Sequence, residues 1–376
     1  LASEWKKAKD VLHRLNENGF DAYIVGGAVR DYLLKRKVAD IDIVTTATPD
    51  EVSRLFSKTY RMNNLHQTVI VKHGDEKYEV TTIRGVTIID DVSLRDLTIN
   101  SLLMDCNGEV FDFVRGQDDL FQNVLRACEP FDRMIEDPLR MLRVFRFVSE
   151  LGFDIDQELL SIISTNHERI QDVAIERVIK EWIKLLKGKH RNLALDLIMS
   201  TCLFKSIPGL ELTEQALDGL SNVKSLKQST DTVCLTAFCL CLSRINEQYL
   251  KNLALSNEQV KKIQARLFYY ELRHKKQWNR LDLYDASIQV AIDVENLRNL
   301  YNKENQNIAQ LLEMWESLPI HQRSELAISG RDLIHALKKN QGPWVKEALM
   351  LAEQLVVTGQ CQNEKEVLLN AILEEG

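Results

Sequence analysis

Gly26-Gly27-Ala28-Val29-Arg30-Asp31, followed nine residues on by Asp40-Ile41-Asp42, is the stretch that decides how this chain folds. Residues 22–25 are a short apolar run that reads as a strand entering the double glycine, and residues 28–34 read as a helix leaving it. Backbone N–H groups at such a strand-to-helix turn can approach a polyphosphate closely, with the helix start adding partial positive charge. Gly26, Gly27 and Arg30 are therefore candidate triphosphate-binding residues. Residues 41–44 form a second strand, on which positions two apart share a face, so Asp40 and Asp42 present two carboxylates side by side. That pair suits divalent metal, and two Mg²⁺ ions there would serve nucleotidyl transfer. Each piece alone has a plainer reading, as a turn or as solvated charge.

Working outward, the first 127 residues alternate strand-like and helix-like runs, while nearly everything after Pro130 has helical period. Thr48-Pro49-Asp50-Glu51 starts a helix, and residues 69–71 and 78–83 form a hairpin candidate across His73-Gly74-Asp75. Few glycines or prolines interrupt the helical part; Ser206-Ile207-Pro208-Gly209, Leu318-Pro319 and Gln341-Gly342-Pro343 are its breaks.

The fuller string GGAVRDYLL…DIDIVT resembles the nucleotidyltransferase superfamily that includes DNA polymerase β, in its branch of bacterial poly(A) polymerases and class II tRNA nucleotidyltransferases. The resemblance implies an α/β nucleotidyltransferase head with a mixed or antiparallel sheet, followed by an all-α neck, body and tail. The boundaries expected are 1–127 for the head, 128–190 for the neck with its base-selecting helix, 191–285 for the body and 286–376 for a tRNA-binding tail. In Tyr78-Glu79-Val80-Thr81-Thr82, Glu79 matches the family's third catalytic carboxylate, although an exposed edge-strand residue would look the same. Arg95-Asp96-Leu97-Thr98-Ile99-Asn100 is similar to the RDxTxN motif that contacts ribose and phosphates. Arg95 can pair with phosphate oxygens, and Asp96 and Asn100, four apart on a helix, would share a face. Asp112 to Gly116 stands where the family has a head-to-neck turn, a hinge by resemblance alone.

Glu136-Asp137-Pro138-Leu139-Arg140 and the following Arg143, Arg146 and Phe147 resemble the EDxxRxxRxxRF helix that selects the base. Asp137 could accept from an exocyclic amine while Arg140 donates to ring acceptors, a pattern met by cytosine and adenine but not by uracil or guanine. The same two residues would also make an ordinary helix start, with Asp137 as cap and an i,i+3 ion pair. Glu136, Arg143 and Arg146 are supporting candidates, the arginines reaching triphosphate or Asp137 or simply pairing within the fold. Ile175-Glu176-Arg177 to Trp182 resembles the neck helix that braces the selector, and residues 325–333 and 342–349 resemble the tail of the tRNA-modifying members.

One departure from the family bears on the product. Complete CCA-adding members carry a flexible loop of a couple of dozen residues between the xEVTT strand and RDxTxN; here ten residues, GVTIIDDVSL, separate Arg84 from Arg95, and much of that reads as strand. Members lacking the loop resemble the CC-adding subtype, so the expected reaction is addition of CC from CTP to tRNA, with complete CCA addition using ATP as the alternative. An A-adding enzyme, a poly(A) polymerase and a non-catalytic RNA-binding protein rank lower.

Composition limits the other classes. A net charge of −7 weighs against broad nucleic-acid binding, yet residues 261–280 carry seven Lys or Arg against one acid, with Phe268, Tyr269, Tyr270 and Trp278 among them. That segment suits phosphates and stacked bases, and equally a solvated helix face with its aromatics in the core. The seven cysteines form no CxxC pair, so no zinc site or disulfide framework is expected. No apolar run is long enough for a membrane span, the first thirty positions read as an amphipathic helix rather than a signal peptide, and the cytoplasm is the expected compartment.

Overall fold

The computed structural model describes residues 3–375 apart from 39, 63–66, 244 and 305. The chain forms two compact units, Leu1–Leu217 and Asp218–Gly376. Among the described residues no helix is long and apolar enough to cross a membrane.

The first unit opens with the helix Ser3–Glu17 and is built on a seven-stranded mixed sheet in the order β3-β4-β5-β2-β1-β6-β7. The strands are β1 Ala22–Val25, β2 Asp42–Thr45, β3 Thr59–Arg61, β4 Thr68–His73, β5 Glu76–Thr82, β6 Leu103–Met104 and β7 Val110–Phe111. β4 and β5 are the hairpin expected from sequence, closed at Gly74 with φ +64°. β1 runs antiparallel to β2, and β2 lies parallel to β5 with Asp42 opposite Glu79. Glu79 therefore stands on an interior strand rather than a sheet edge. Val25, Val44, Val92 and Leu103 form one buried cluster, so a short helix carrying Val92 closes over the face of β2 that also bears Asp42.

That helix, Ile88–Ser93, corrects the expectation that the stretch after Arg84 reads mostly as strand. Thr87 Oγ accepts from the Asp90 amide at 3.2 Å and the Asp90 carboxylate accepts from the Thr87 amide at 2.8 Å, a capping box that starts a helix at once. Ile88 and Val92, four apart, then turn their β-branched side chains into the sheet cluster, and burial overrides strand propensity. The RDLTIN segment also differs from the helix expected: only Thr98–Asn100 forms a 3₁₀ turn. Asp96 accepts from the amide of Leu97 at 2.9 Å, and the Thr98 amide is taken by the Arg126 carbonyl at 2.8 Å, so those donors are withheld from a helix.

Beyond Pro130 the first unit is almost wholly helical, including Pro130–Glu136, Leu139–Leu151 and the amphipathic Ile175–Lys187, with the two-residue strand Asp154–Ile155 between them. In the second unit the helices Asn257–Leu272 and Ile288–Leu300 pack together, and Ile308–Glu316 and Trp344–Val357 respectively stop before Leu318-Pro319 and start after Pro343. Of the aromatics in the basic segment, Tyr270 and Trp278 are buried and Phe268 is exposed.

Candidate active site

Asp40 lies two residues before the start of β2 and Asp42 begins it, with Glu79 beside Asp42 on β5. Burial, then the neighbouring Glu79, push the Asp42 carboxyl up to about 6, with Asp40 adding to the rise and Arg95 opposing it. Carboxylates crowded in this way are hard oxygen donors whose repulsion a divalent cation would relieve. The fit rests on that chemistry: among the described residues no three carboxylate, imidazole or thiol groups already converge on one point.

Gly26 holds φ +76° and ψ −137°, a conformation closed to side chains, and caps the helix Gly27–Leu33. A Cβ at Gly26 would lie 3.8 Å from Arg95 Nη1, so the glycine turn and Arg95 face each other. Arg30 is buried; its Nη1 donates to Asn100 Oδ1 at 2.7 Å, while Nε and Nη2 both reach the Asp31 carboxylate at 3.1 Å. The guanidinium thus holds the RDLTIN turn from below.

Arg95 is itself held. Asp91, buried in the short helix, accepts from Arg95 Nε and Nη2 at 3.0 and 2.9 Å and from Arg84 Nε at 2.9 Å. Burial opposes ionisation of Asp91, but Arg95 and Arg84 outweigh it and keep the carboxyl below its ordinary range. Asp96 is a second hub: Arg143 donates to it through Nε at 3.0 Å and Nη2 at 2.6 Å, and Asn100 Nδ2 at 3.1 Å. Here too burial is overridden, by Arg143 first, and the carboxyl stays far below the usual range.

The helix Leu139–Leu151 points Arg140, Arg143 and Arg146 along one side, at the three-residue spacing of its sequence. It carries no side-chain N-cap, so Asp137 is not the cap that its position allowed. Asp137 is instead gripped by Arg177, through Nη2 at 2.7 Å and Nη1 at 3.2 Å. Arg140 Nη1 donates to Glu136 at 3.1 Å, and Nη2 comes within 3.5 Å of the Leu94 carbonyl, which Arg84 Nη1 also approaches at 3.4 Å. Burial lowers the pKa of Arg140. Arg146 lies 2.7 Å from Glu181 and 3.0 Å from Glu150, and Arg143 also reaches Glu181 at 3.4 Å, so both arginines pair within the fold. Glu181, from the helix Ile175–Lys187, thereby ties that helix to Leu139–Leu151.

These groups surround a cleft of about 250 Å³ lined by Arg84, Arg95, Asp96, Asp137, Leu139, Arg140, Arg143 and Arg177. Five guanidiniums against two carboxylates give it the excess positive charge that a triphosphate needs. Arg95 joins the cleft to the glycine turn and to Asp42. Of the residues expected from sequence, Arg95, Asp96, Asp137, Arg140 and Arg143 line the cleft, Glu136 and Asn100 hold lining residues, and Arg30 and Arg146 lie buried behind it. Arg84, Asp91 and Leu139 were not expected, and Arg177 was expected only as part of a brace. The signal for Arg177 was pairing across distant segments, which spacing does not carry, whereas Asp91 stands four residues before Arg95, an i,i+4 spacing present in the sequence. At the head-to-neck turn Asp112 accepts from the amides of Val114, Gly116 and Gln117, and a Cβ at Gly116 would collide with the Thr98 carbonyl at 2.3 Å, so that glycine lets the turn sit against RDLTIN.

Family profiles cover most of the chain: the poly A polymerase head domain matches residues 22–126, the probable RNA and SrmB-binding site of polymerase A residues 152–213, and the putative tRNA nucleotidyltransferase domain 2 residues 226–372. The CC-adding tRNA nucleotidyltransferase of Halalkalibacterium halodurans is 37% identical over 369 residues, 98% of this chain and 97% of the relative. The CCA-adding enzyme of Enterococcus faecalis is 34% identical over 393 residues, 98% of this chain and 96% of the relative. The crystal structure of Bacillus stearothermophilus CCA-adding enzyme in complex with CTP superposes with a TM-score of 0.91 at 32% identity, covering 100% of this chain and 98% of that one.

Proposed function

The chain belongs to the tRNA nucleotidyltransferase and poly(A) polymerase family, and from that membership we propose that it adds CC, from CTP, to the 3′ end of tRNA without a template. In each step the tRNA 3′-hydroxyl attacks the α-phosphorus of CTP, the bond to the β-phosphate oxygen breaks, and pyrophosphate leaves. Asp40 and Asp42, with Glu79 beside them, are the residues that would hold divalent metal, and Mg²⁺ is the ion proposed. When bound there, Mg²⁺ would activate the hydroxyl and offset charge on the leaving pyrophosphate. Arg95 and the Gly26-Gly27 turn would take the phosphates, and Asp96, fixed by Arg143 and Asn100, would take the ribose hydroxyls. Asp137 would accept from cytosine N4–H while Arg140 donates to O2 or N3.

The observation that carries CC over CCA addition is the short link after Arg84. It folds as one helical turn and a half, and its last residue, Leu94, offers its carbonyl to Arg140. With Glu136 on the other side, Arg140 is held in one setting, which supports a site for one base rather than a site that changes between two. The match to the E. faecalis CCA-adding enzyme runs over more positions than this chain has residues, so that relative carries sequence absent here; the match to the CC-adding relative does not. Complete CCA addition remains the second reading, favoured by the 0.91 superposition on a CCA-adding enzyme. A tRNA substrate supports a cytoplasmic setting.

The test is incubation with Mg²⁺ and tRNA ending at the discriminator base, supplied with CTP, ATP or both, with products resolved by length. Two residues added from CTP, and no third when ATP is also present, is the expected result. A terminal A would replace it with the CCA reading, and no extension with either nucleotide would overturn nucleotidyl transfer.

A further inference from the structure

Glu150 has no part in the proposed chemistry, yet its carboxylate gathers three guanidiniums from two parts of the chain. Its Oε1 accepts from Arg36 Nη2 at 2.9 Å and stands 3.7 Å from Arg30 Nη2, while Oε2 accepts from Arg146 Nη1 at 3.0 Å within its own helix, Leu139–Leu151. Arg30 belongs to the glycine-turn helix Gly27–Leu33, and Arg36 follows its end. Local helix stability does not account for Glu150. It lies in the last turn of its helix, where a carboxylate opposes the helix dipole, and an Arg followed four residues later by Glu is the weaker order for a helical ion pair. What the carboxylate does join is two stretches 114 positions apart.

Arg36 is set for that contact. Lys35 turns the chain out of the helix at φ +52°, and the Arg36 amide donates back to the Asp31 carbonyl at 2.8 Å, so the side chain leaves from a fixed backbone, four positions before Asp40. Arg30 is held on a second side: its guanidinium carbon lies 5.1 Å from the centre of the Phe147 ring, which is buried and has the Arg146 guanidinium at 3.6 Å. Arg30 also reaches Leu139–Leu151 by a longer route, through Asn100 and Asp96 to Arg143. Arg143, Phe147 and Glu150 lie four and three residues apart on one face, so the glycine-turn helix is attached at points spread over two turns, about 10 Å. One attachment would leave it free to pivot, whereas attachments at both ends of that span fix its angle as well as its distance.

We propose that Glu150 and Arg36 are positioning residues, whose ion pair holds the glycine turn at a set distance from Asp137 and Arg140 so that the phosphates and the base of one nucleotide are taken together. Neither side chain lines the cleft; each acts through the element that it ties down. The gain is that of a linker between two binding modules: each half of the ligand raises the effective concentration of the other half only while the geometry holds. The inference rests on the reading of this site as one for CTP.

The full-length protein tests it by calorimetric titration with Mg²⁺ and no tRNA, using CTP for both halves of the site and inorganic tripolyphosphate for the phosphate half alone. In Glu150→Gln and in Arg36→Met, CTP should bind about 10-fold more weakly while tripolyphosphate binds as it does to wild type, so that the preference for CTP shrinks about 10-fold. The side chains of Arg36 and Glu150 are 37% and 28% exposed, so melting temperatures should fall by no more than about 2–4 °C. Because the pair acts as one unit, the double variant should bind CTP no more weakly than either single variant. An equal loss for both ligands would make the effect a general structural one, and unchanged CTP binding, or losses that multiply in the double variant, would show that the ion pair does not set the geometry; each overturns the proposal. If wild type binds CTP no more tightly than tripolyphosphate, the CTP reading itself falls and the clamp with it, an outcome that the wild-type titration alone distinguishes from the others.

Discussion

Removing Asp91 tests whether the short link is part of the catalytic apparatus or only a shortened connection. The carboxylate is 2% exposed and holds the Arg84 Nε and amide at 2.9 and 3.1 Å and Arg95 at 2.9 and 3.0 Å. Taking one partner from a fully buried ion pair costs about 3–5 kcal/mol. The side chains of Arg84 and Arg95 are 32% and 19% exposed, so water returns to both and the expected loss for Asp91→Ala is smaller, about 2–3 kcal/mol. With a urea dependence of about 2–3 kcal/mol/M, the midpoint of the first unit's unfolding should fall by about 1 M. Arg95, freed from Asp91, should no longer sit against the glycine turn, and kcat/KM for CTP should drop about 10- to 100-fold, equivalent to about 1.4–2.7 kcal/mol. The sign with pH follows from the depressed carboxyl of Asp91: its contribution is complete above the unfolded value of about 3.9 and is lost as pH falls through the lower folded value. Asp91→Asn should therefore flatten the loss of stability below about pH 4 relative to wild type, leaving what Asp96 contributes in the same window. Urea melts at two pH values and steady-state CTP incorporation give both readouts. Wild-type KM for CTP and an unchanged urea midpoint in Asp91→Ala would refute the clamp.

Asp40→Ala and Asp42→Ala should each abolish incorporation while tRNA binding, read by anisotropy, is retained; near-normal rates in either would remove the metal assignment. Asp137→Ala should damage choice among the four triphosphates more than affinity for tRNA, measured as relative incorporation of each nucleotide. Gly26→Ala should lose about 1–3 kcal/mol from backbone strain at φ +76° and, if the turn relaxes away from that conformation, raise KM for CTP; a folded variant with normal KM would show that the turn does not shape the site.

The strands β1 and β2, the β4–β5 hairpin and the order of the motifs were legible because they are local. Strand period, the double glycine and the capping box at Thr48 are written in neighbouring residues, and each element that they announced is present. The two misread segments share one cause. At residues 88–93, β-branched side chains advertise a strand, but the Thr87 and Asp90 cap and the burial of Ile88 and Val92 decide for a helix. At RDLTIN, the side chain of Asp96 and the carbonyl of Arg126 take amides that a helix would need. In both, a side chain or a distant carbonyl satisfies the backbone differently from what propensity suggests.

The cleft was legible only in part, for a related reason. Its lining residues fall in recognisable strings, but which residue pairs with which is not written there: Asp137 is held from Arg177 forty positions away, and Asp96 from Arg143 forty-seven positions away. Spacing placed Asp137 with Arg140, three residues along one helix, whereas the fold gives each a separate anchor. Separate anchors matter for selectivity. If Asp137 and Arg140 paired with each other, a base would have to break an ion pair to be read; held apart by Arg177 and by Glu136 with Leu94, both face the cleft with their remaining hydrogen-bonding capacity free for a ligand. The short link enters that arrangement through one carbonyl. Lengthening it would release the Leu94 contact from Arg140 without touching any residue of the helix Leu139–Leu151, so, on the proposed role of Arg140, a change in the connection would alter which base is accepted.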